Sequence, residues 1–263
     1  MGRAVPAVSR ALDIMELFLD RPSLSAPQIT ELLGLPRTTV HELVTTLVDR
    51  RYLDATPGAP IRYRLGMRLF QLGSQFADRL DLVREAQDAA GDVALACDET
   101  VHVAILDGTD VVYIAKVDST HPVRMVSAVG RRLPAHCTAV GKMLLSGLGT
   151  DALDARYPRG HTLSAMTPRS ITSPARLRSH LAEVHAEGVA YDDCESNEAV
   201  RCVSAPVYDH SGRMAAAMSI SVPTIRWTDE RRSEWTALVQ RGAAELSRRL
   251  GHRIGASVPA GAA

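Results

Sequence analysis

The 263-residue chain has only two lysines, Lys116 and Lys142; every other strong cation is arginine. With so much alanine, that scarcity points to a GC-rich genome and carries no mechanism. Cysteine is also sparse. Cys97, Cys137, Cys194 and Cys202 are scattered and none forms a CxxC. The amino-terminal stretch "MGRAVPAVSRALDIMELFLDRP" is interrupted by Asp13, Glu16 and Asp20, unlike a secretion signal. Together these absences predict a reduced, cytoplasmic protein. No run of about eighteen apolar residues occurs, so no membrane-spanning helix and no membrane partner are expected. Thirty Lys and Arg balance thirty Asp and Glu, which argues against a uniformly basic coat for nucleic acid. There is no internal repeat and no GxSxG elbow. What is present is a globular balance, 46% hydrophobic and 23% charged, enough for one large domain or two ordinary ones.

Charge is uneven locally. Between Arg37 and Arg68, six arginines (37, 50, 51, 62, 64 and 68) face three acids (Glu42, Asp49, Asp54), leaving +3. A basic face on a neutral protein fits a localised DNA footprint, and an ordinary solvated surface equally. Val8, Leu12, Met15 and Leu19 recur at helical spacing, which predicts an amphipathic helix over 6–20 closed by Pro22. In "SLSAPQITELLGLPRTTVHELVTTLVDRRYLD", Ser25 is a natural N-cap with Gln28 at capping-box spacing. Ile29, Leu32 and Leu33 supply an apolar face, and Gly34 stands where a left-handed cap is needed. The next helix starts at Pro36 and turns Val40, Leu43, Val44 and Leu47 inward. Its outward face carries Arg37, Thr38, Thr39, His41, Glu42 and Thr45, types suited to phosphates and base edges in a major groove. "YLDATPGAPIRYRLG" reads as a hairpin wing with Arg62 and Arg64 on its return strand. Ser25 joins these as an expected DNA contact.

Three stretches, "SRALDIMELF", "QITELLGLPRTTVHELVTTLVDRRYL" and "YRLG", resemble the winged helix-turn-helix of IclR-type transcriptional regulators. Glu42 departs from that likeness, because the family often has arginine there. A carboxylate repels phosphate but can accept from cytosine N4, so an operator cannot be carried over from relatives.

From Leu65 to Ala96 the chain favours helix, with a break expected near Asp81, and reads as a connector. Beyond Glu99, "VHVAILDGTDVVYIAKV" is a hairpin, "RMVSAVG" a further strand and "TAVGKMLLSGL" a helix capped by Thr138. "TSPARLRSHLAEVHAEG" is a helix, "RCVSAPVYDHSGRMAAAMSISVP" a second hairpin and "TDERRSEWTALVQRGAAELSRRL" a closing helix capped by Thr228. That order predicts an α+β domain, a mainly antiparallel sheet covered by helices. The expected boundaries are a winged helix over 1–66, a connector over 67–97, an effector-binding domain over 98–250 and a disordered tail over 251–263.

The densest chemistry is "GVAYDDCESNEAVRCVSAP", with Asp192, Asp193, Cys194, Glu195, Glu198 and Cys202. Metal spacing is lacking, and no HxxxH stands nearby, so no metal site or cofactor is expected. His136 and Cys137 are adjacent in sequence, so their side chains need not meet. No group obviously lowers a thiol pKa, so no catalytic residue is assigned. His102, His121, His161 and His180 read as surface or hydrogen-bonded histidines. Binding has better geometry. Ser219 and Ser221 share one strand face, as do Cys202 and Ser204, and buried hydroxyls need partners that a polar ligand would supply. The N–H groups of Ala139 and Val140 open a helix, which welcomes a carboxylate. Asp192 could accept from a ligand hydroxyl, with Met125, Leu133 and Val200 as walls. Asp193, Glu195 and Glu198 are expected in solvent.

"LPAHCTAVGKMLL" and "GVAYDDCESNEAVRCVSAPVYDHSGRMAAAMSISVP" resemble the GAF-like effector domain of the same family, so the likeness spans about 6–250. It implies effector contacts at Ala139, Val140, Asp192, Val200, Cys202, Ser219 and Ser221, with Met125 and Leu133 near the pocket wall. It also implies a homodimer or dimer of dimers, double-stranded operator DNA and a small carboxylate effector, in a regulator expected to repress and not to catalyse. Two alternatives stand beside it: a metal or thiol redox sensor on Cys137, Cys194 and Cys202, and a small-molecule enzyme built on the second domain.

Overall fold

The computed structural model of the chain describes residues 5–77 and 81–252, which fall into two compact units divided at Leu80 and Asp81. Among the described residues no helix is long and apolar enough to cross a membrane.

The first unit contains helices α1 (Pro6–Glu16), α2 (Ala26–Leu33), α3 (Arg37–Asp49) and α4 (Met67–Ala77). Strands β1 (Leu24–Ser25), β2 (Leu53–Thr56) and β3 (Arg62–Leu65) form a small antiparallel sheet in the order β1-β3-β2. Its core is Ile14, Phe18, Leu24, Ile29, Val40, Val44, Leu47 and Leu53. The expected helix over 6–20 ends at Glu16, and of its expected apolar face only Met15 packs against this core. Ile14 and Phe18 are buried, whereas Val8, Leu12 and Leu19 are exposed. Leu32 of α2 is exposed as well. A run with apolar residues on two faces leaves the choice to the partner, and burying Ile14 and Phe18 contributes about 1.5–3 kcal/mol each. Gly34 takes the left-handed cap at φ 64°, as its position between two helices requires. Gly66, just before α4, has no room for a side chain, because a Cβ would lie 2.4 Å from the Arg51 carbonyl oxygen.

The second unit is a six-stranded antiparallel sheet, ordered β6-β5-β4-β9-β8-β7. Its strands are β4 (Thr100–Asp107), β5 (Asp110–Val117), β6 (Arg132–Pro134), β7 (Ala190–Asp193), β8 (Val200–Tyr208) and β9 (Met214–Pro223). Helices α5 (Asp81–Cys97) and α9 (Asp229–Arg249) cover one face, meeting Val101, Val103, Met218, Ile220 and Val222. Helices α6 (Ala139–Ser146), α7 (Thr150–Arg156) and α8 (Pro174–Glu187) cover the other, over Ala104, Val111 and Ala217. The α+β expectation is met.

Two expectations need correction here. The connector does not extend to residue 97: Ala86, Ala89, Ala90, Val93 and Ala94 bury one stripe of α5 in the sheet core. Small residues at helical spacing let α5 seat closely, so it is a layer of the second unit. The "RMVSAVG" stretch is not a strand. Val126 and Val129 point outward, and side chains hold this segment where a ladder was expected. The expected tail lies, from residue 253 on, outside the described residues.

Candidate functional site

The first unit presents α3 with Val40, Val44 and Leu47 anchored below, and Arg37, Thr38, His41, Glu42 and Thr45 exposed above. Thr39 is half-buried. Pro36 precedes the helix without capping it through a side chain. Val40 is the first to bond back, to the Pro36 carbonyl, so the N–H groups of the first turn face outward without helical acceptors. Such a terminus suits a phosphate. The wing arginines are less available. Arg62 donates to the Ser23 hydroxyl and carbonyl, each at 2.9 Å, and Arg64 pairs with Asp54 across β2 and β3 at 3.7 Å. Ser25 departs from expectation most. It is 3% exposed, and both its N–H (2.9 Å) and its hydroxyl (3.1 Å) donate to Gln28 Oε1. Its position between β1 and α2 and these two bonds commit it to the fold.

In the second unit, strand pairing sets Asp192 (β7), Cys202 (β8), Ser221 (β9) and Thr100 (β4) side by side in one row. Ser204, Ser219 and His102 form the next row. Residues two apart share a face, so both rows lie on the α6 side of the sheet. Ala139 from the start of α6 packs with Val200, Cys202 and Met125 in a small apolar cluster beside them. Thr138 caps α6 by accepting from the Gly141 N–H at 3.0 Å, leaving Ala139 and Val140 as the first-turn residues outside that cap. Gly141 permits this seating, because a Cβ there would lie 2.2 Å from the Ala135 carbonyl oxygen. The Val140 and Leu133 side chains belong to the larger core with Tyr113 and Ala104.

The polar row is closed and its groups find partners within the protein. The Cys202 thiol donates to Ser221 Oγ at 3.2 Å, and Ser221 Oγ meets His102 Nδ1 at 3.2 Å. Ser204 donates to the Met218 carbonyl at 2.8 Å. Asp192 accepts from the Glu195 and Ser196 N–H groups and from the Ser196 hydroxyl. Cys202, Ser204, Ser221 and Asp192 thus already have partners within the protein, and a ligand would take the place of those bonds. Ser219 is buried in the second of these rows, between Ser204 and His102. Open hollows lie elsewhere; one of about 640 Å³ sits by Arg159, His161 and Arg178.

Burial governs the titration of this site. It raises the Asp192 carboxyl from 3.8 to about 6, against the pull of its Ser196 and Glu195 hydrogen bonds. It pushes His102 down to about 3, with Lys116 adding to the effect, so the imidazole is neutral at ordinary pH. Burial also raises the thiols of Cys202 and of Cys137, the latter to about 11. Cys137 meets His136, at 3.3 Å, because the tight turn Ala135–Cys137 folds both side chains inward. Raised thiol pKa values oppose the thiol-sensor alternative. All four cysteines are free. Glu195, expected in solvent, is buried and paired with the fully buried Lys142 of α6. Asp193 and Glu198 are exposed, Asp193 holding Arg169 and Arg201.

Residues 7–57 match the IclR helix-turn-helix domain, and residues 74–248 match the bacterial transcriptional regulator IclR C-terminal domain. The chain belongs to the IclR family. It is 35% identical over 249 residues to the HTH-type transcriptional regulator XynR of Escherichia coli (strain K12), covering 94% of this chain and 98% of that one. It is 30% identical over 246 residues to the transcriptional repressor IclR of the same organism, covering 92% and 89%. The solved structure of Thermotoga maritima IclR matches with a TM-score of 0.76 and 28% identity, over 94% of this chain and 99% of that one. Like its relatives, this IclR-family chain is a DNA-binding transcriptional regulator, and α3 is the second helix of its helix-turn-helix.

Sequence reasoning missed four members of the second-unit site: His102, Ser127, Lys142 and Glu195. His102 was legible in part, since it sits at even spacing from Thr100 in an alternating strand. Lys142 and Glu195 were not, because charge at a helix surface and in an acidic loop ordinarily means solvent.

Proposed function

We propose that this regulator is a repressor whose operator binding responds to a small organic acid held in the second unit. The observation that carries the reading is the buried polar row Asp192–Cys202–Ser221, with buried Ser219 beside it and Ala139, at the start of α6, packed against it. A carboxylate can take the Ala139 and Val140 N–H groups, and a ligand hydroxyl can reach Asp192. Met125, Val200 and Cys202 supply the apolar side of the pocket, with Leu133 behind it. Arg37, Thr38, Thr39, His41, Glu42 and Thr45 read the operator, and Arg64 and Arg62 support the wing. The name of the E. coli repressor supports repression here.

A homodimer, or a dimer of dimers, is the assembly. Val8 and Leu12 of α1 and Met67 and Phe70 of α4 are exposed apolar residues that a second copy would cover. The protein works in the cytoplasm, where DNA and metabolites meet. Effector binding must favour one arrangement of the dimer over another to change DNA affinity. Purified protein should shift DNA from upstream of its own gene, with affinity falling steeply as salt rises. Organic acids that raise its melting temperature should release that DNA. A protein that shifts no such fragment, or whose stabilising acids leave the complex intact, overturns the reading.

A further inference from the structure

The effector site is sealed: Asp192, Val200, Cys202, Ser219 and Ser221 are each no more than 6% exposed. A small molecule reaches them only if something moves. The sheet strands and α6 are tied by continuous backbone ladders, which open at the cost of many hydrogen bonds together. The strap from Thr120 to Gly130 is different. Among the described residues, no backbone-to-backbone hydrogen bond involves residues 121–127. Side chains hold the strap instead. Lys116 Nζ donates to the Ser127 carbonyl at 2.7 Å, His102 Nε2 meets Ser127 Oγ at 2.7 Å, and Arg226 Nη1 donates to the Val123 carbonyl at 2.8 Å. Arg226 is itself fixed by a two-pronged pair with buried Glu99. Met125, between these fastenings, covers Ala139, Val200 and Cys202.

One donor-to-acceptor direction runs through these groups when His102 carries its proton on Nε2. The Cys202 thiol donates to Ser221 Oγ, so the single Ser221 proton is free to go to His102 Nδ1. A neutral imidazole that accepts at Nδ1 carries its proton on Nε2 and donates it to Ser127. His102, stacked on Tyr113 at 4.4 Å, therefore links the polar row to the strap in one line, Cys202 to Ser221 to His102 to Ser127. Resting on the effector-site reading above, we propose that His102 is a positioning residue that latches the Thr120–Gly130 strap through Ser127, and that this strap is the door to the effector site.

The test needs no effector, because Cys202 lies behind the strap and reports access. The full-length protein is treated with methyl methanethiosulfonate, and modification of each cysteine is followed by mass spectrometry. Ser127→Ala removes the latch from the strap side. His102→Asn keeps a group near Nδ1 but withdraws the one that reaches Ser127, whereas His102→Gln reaches Ser127. Losing one such bond should raise the Cys202 rate about fivefold in Ser127→Ala and His102→Asn. His102→Gln should stay near wild type, and Cys137 and Cys194 should keep their rates in all three. Equal acceleration of Cys137 and Cys194 would mean general loosening and would overturn the latch. So would a Cys202 rate unchanged in both latch variants, or a His102→Gln protein as fast as His102→Asn. Failure here leaves the effector reading standing, since acid-induced DNA release is measured separately. Failure of acid release in turn leaves the labelling result intact as a property of the strap.

Discussion

The two units place their polar groups in opposite ways. In the first, α3 buries Val40, Val44 and Leu47 and turns its hydroxyls and Arg37 outward. In the second, Asp192, Cys202, Ser221 and His102 are turned inward and are bonded within the unit, Cys202 to Ser221 to His102 and Asp192 to the Glu195–Ser196 turn. An outward face meets a large, flat, charged ligand such as DNA without breaking internal bonds. An inward row accepts only a ligand small enough to replace those bonds, and each exchange is near neutral when every partner is restored. On the proposed reading of the row, the contrast accounts for discrimination: an ill-fitting metabolite leaves a buried donor or acceptor unsatisfied, which costs about 1–3 kcal/mol. Substitutions should therefore hurt stability in the second unit and DNA affinity in the first.

The sharpest test of that contrast is Lys142. Its side chain is 1% exposed, and its partner Glu195 is the neighbour of the row. Lys142→Met leaves a buried carboxylate unpaired, which should cost about 3–5 kcal/mol in chemical denaturation. Lys142→Met with Glu195→Leu should recover most of it, because the uncompensated charge is then gone. A single variant within 1 kcal/mol of wild type (roughly the value of an exposed pair) would show that the pair is not buried in solution.

The next effect depends on pH. Burial raises the folded-state Asp192 carboxyl from its ordinary 3.8 to about 6. Between those values the native protein keeps a proton that the unfolded chain has released. The stability this contributes is full below about pH 4 and is lost as pH rises through about 6. Roughly two pH units at 1.36 kcal/mol each give about 3 kcal/mol. Asp192→Asn should flatten the dependence of the urea midpoint on pH across that window. An unchanged slope would place the titrating group elsewhere.

How far the chain could be read from its letters follows the same division. The helix-turn-helix was legible because Gly34, Pro36 and the spacing of Val40, Val44 and Leu47 are local signals. The sheet pairing was legible through alternation, so Cys202, Ser219 and Ser221 were placed on the correct face. What failed was what depends on a distant partner. Whether Ile14 of α1 and Phe18 after it, or Val8 with Leu12, would be buried could not be chosen until α2 and α3 were in place. Glu195 looked solvated because its partner, Lys142, is 53 residues away. Ser127 looked like part of a strand because Met125, Val126 and Val129 make an apolar run around it, yet Val126 and Val129 are exposed and the Ser127 carbonyl accepts from Lys116.

In the first unit the effects are smaller and appear in binding. Arg37 is exposed beside the uncapped start of α3, and Arg37→Ala should weaken operator binding about tenfold and reduce the salt slope by about one. Arg62→Ala should act differently, because that guanidinium already holds Ser23. Fluorescence anisotropy with a labelled upstream fragment at several salt concentrations separates the two. Equal loss of salt slope in both variants would show that the wing arginine leaves Ser23 to reach phosphate.

The smallest expected effect settles which side of the contrast Ser25 belongs to. If Ser25 is a cap, Ser25→Ala removes one bond to Gln28 Oε1 and keeps the backbone one, so stability should fall by about 1 kcal/mol. Operator affinity, corrected for the folded fraction, and its salt slope should not move. If Ser25 instead touches a phosphate, stability should hold while affinity drops, since a hydroxyl taken from a wet surface costs the fold little. The two outcomes are opposite in both measurements, so one variant decides whether a polar group buried in the first unit follows the inward rule of the second.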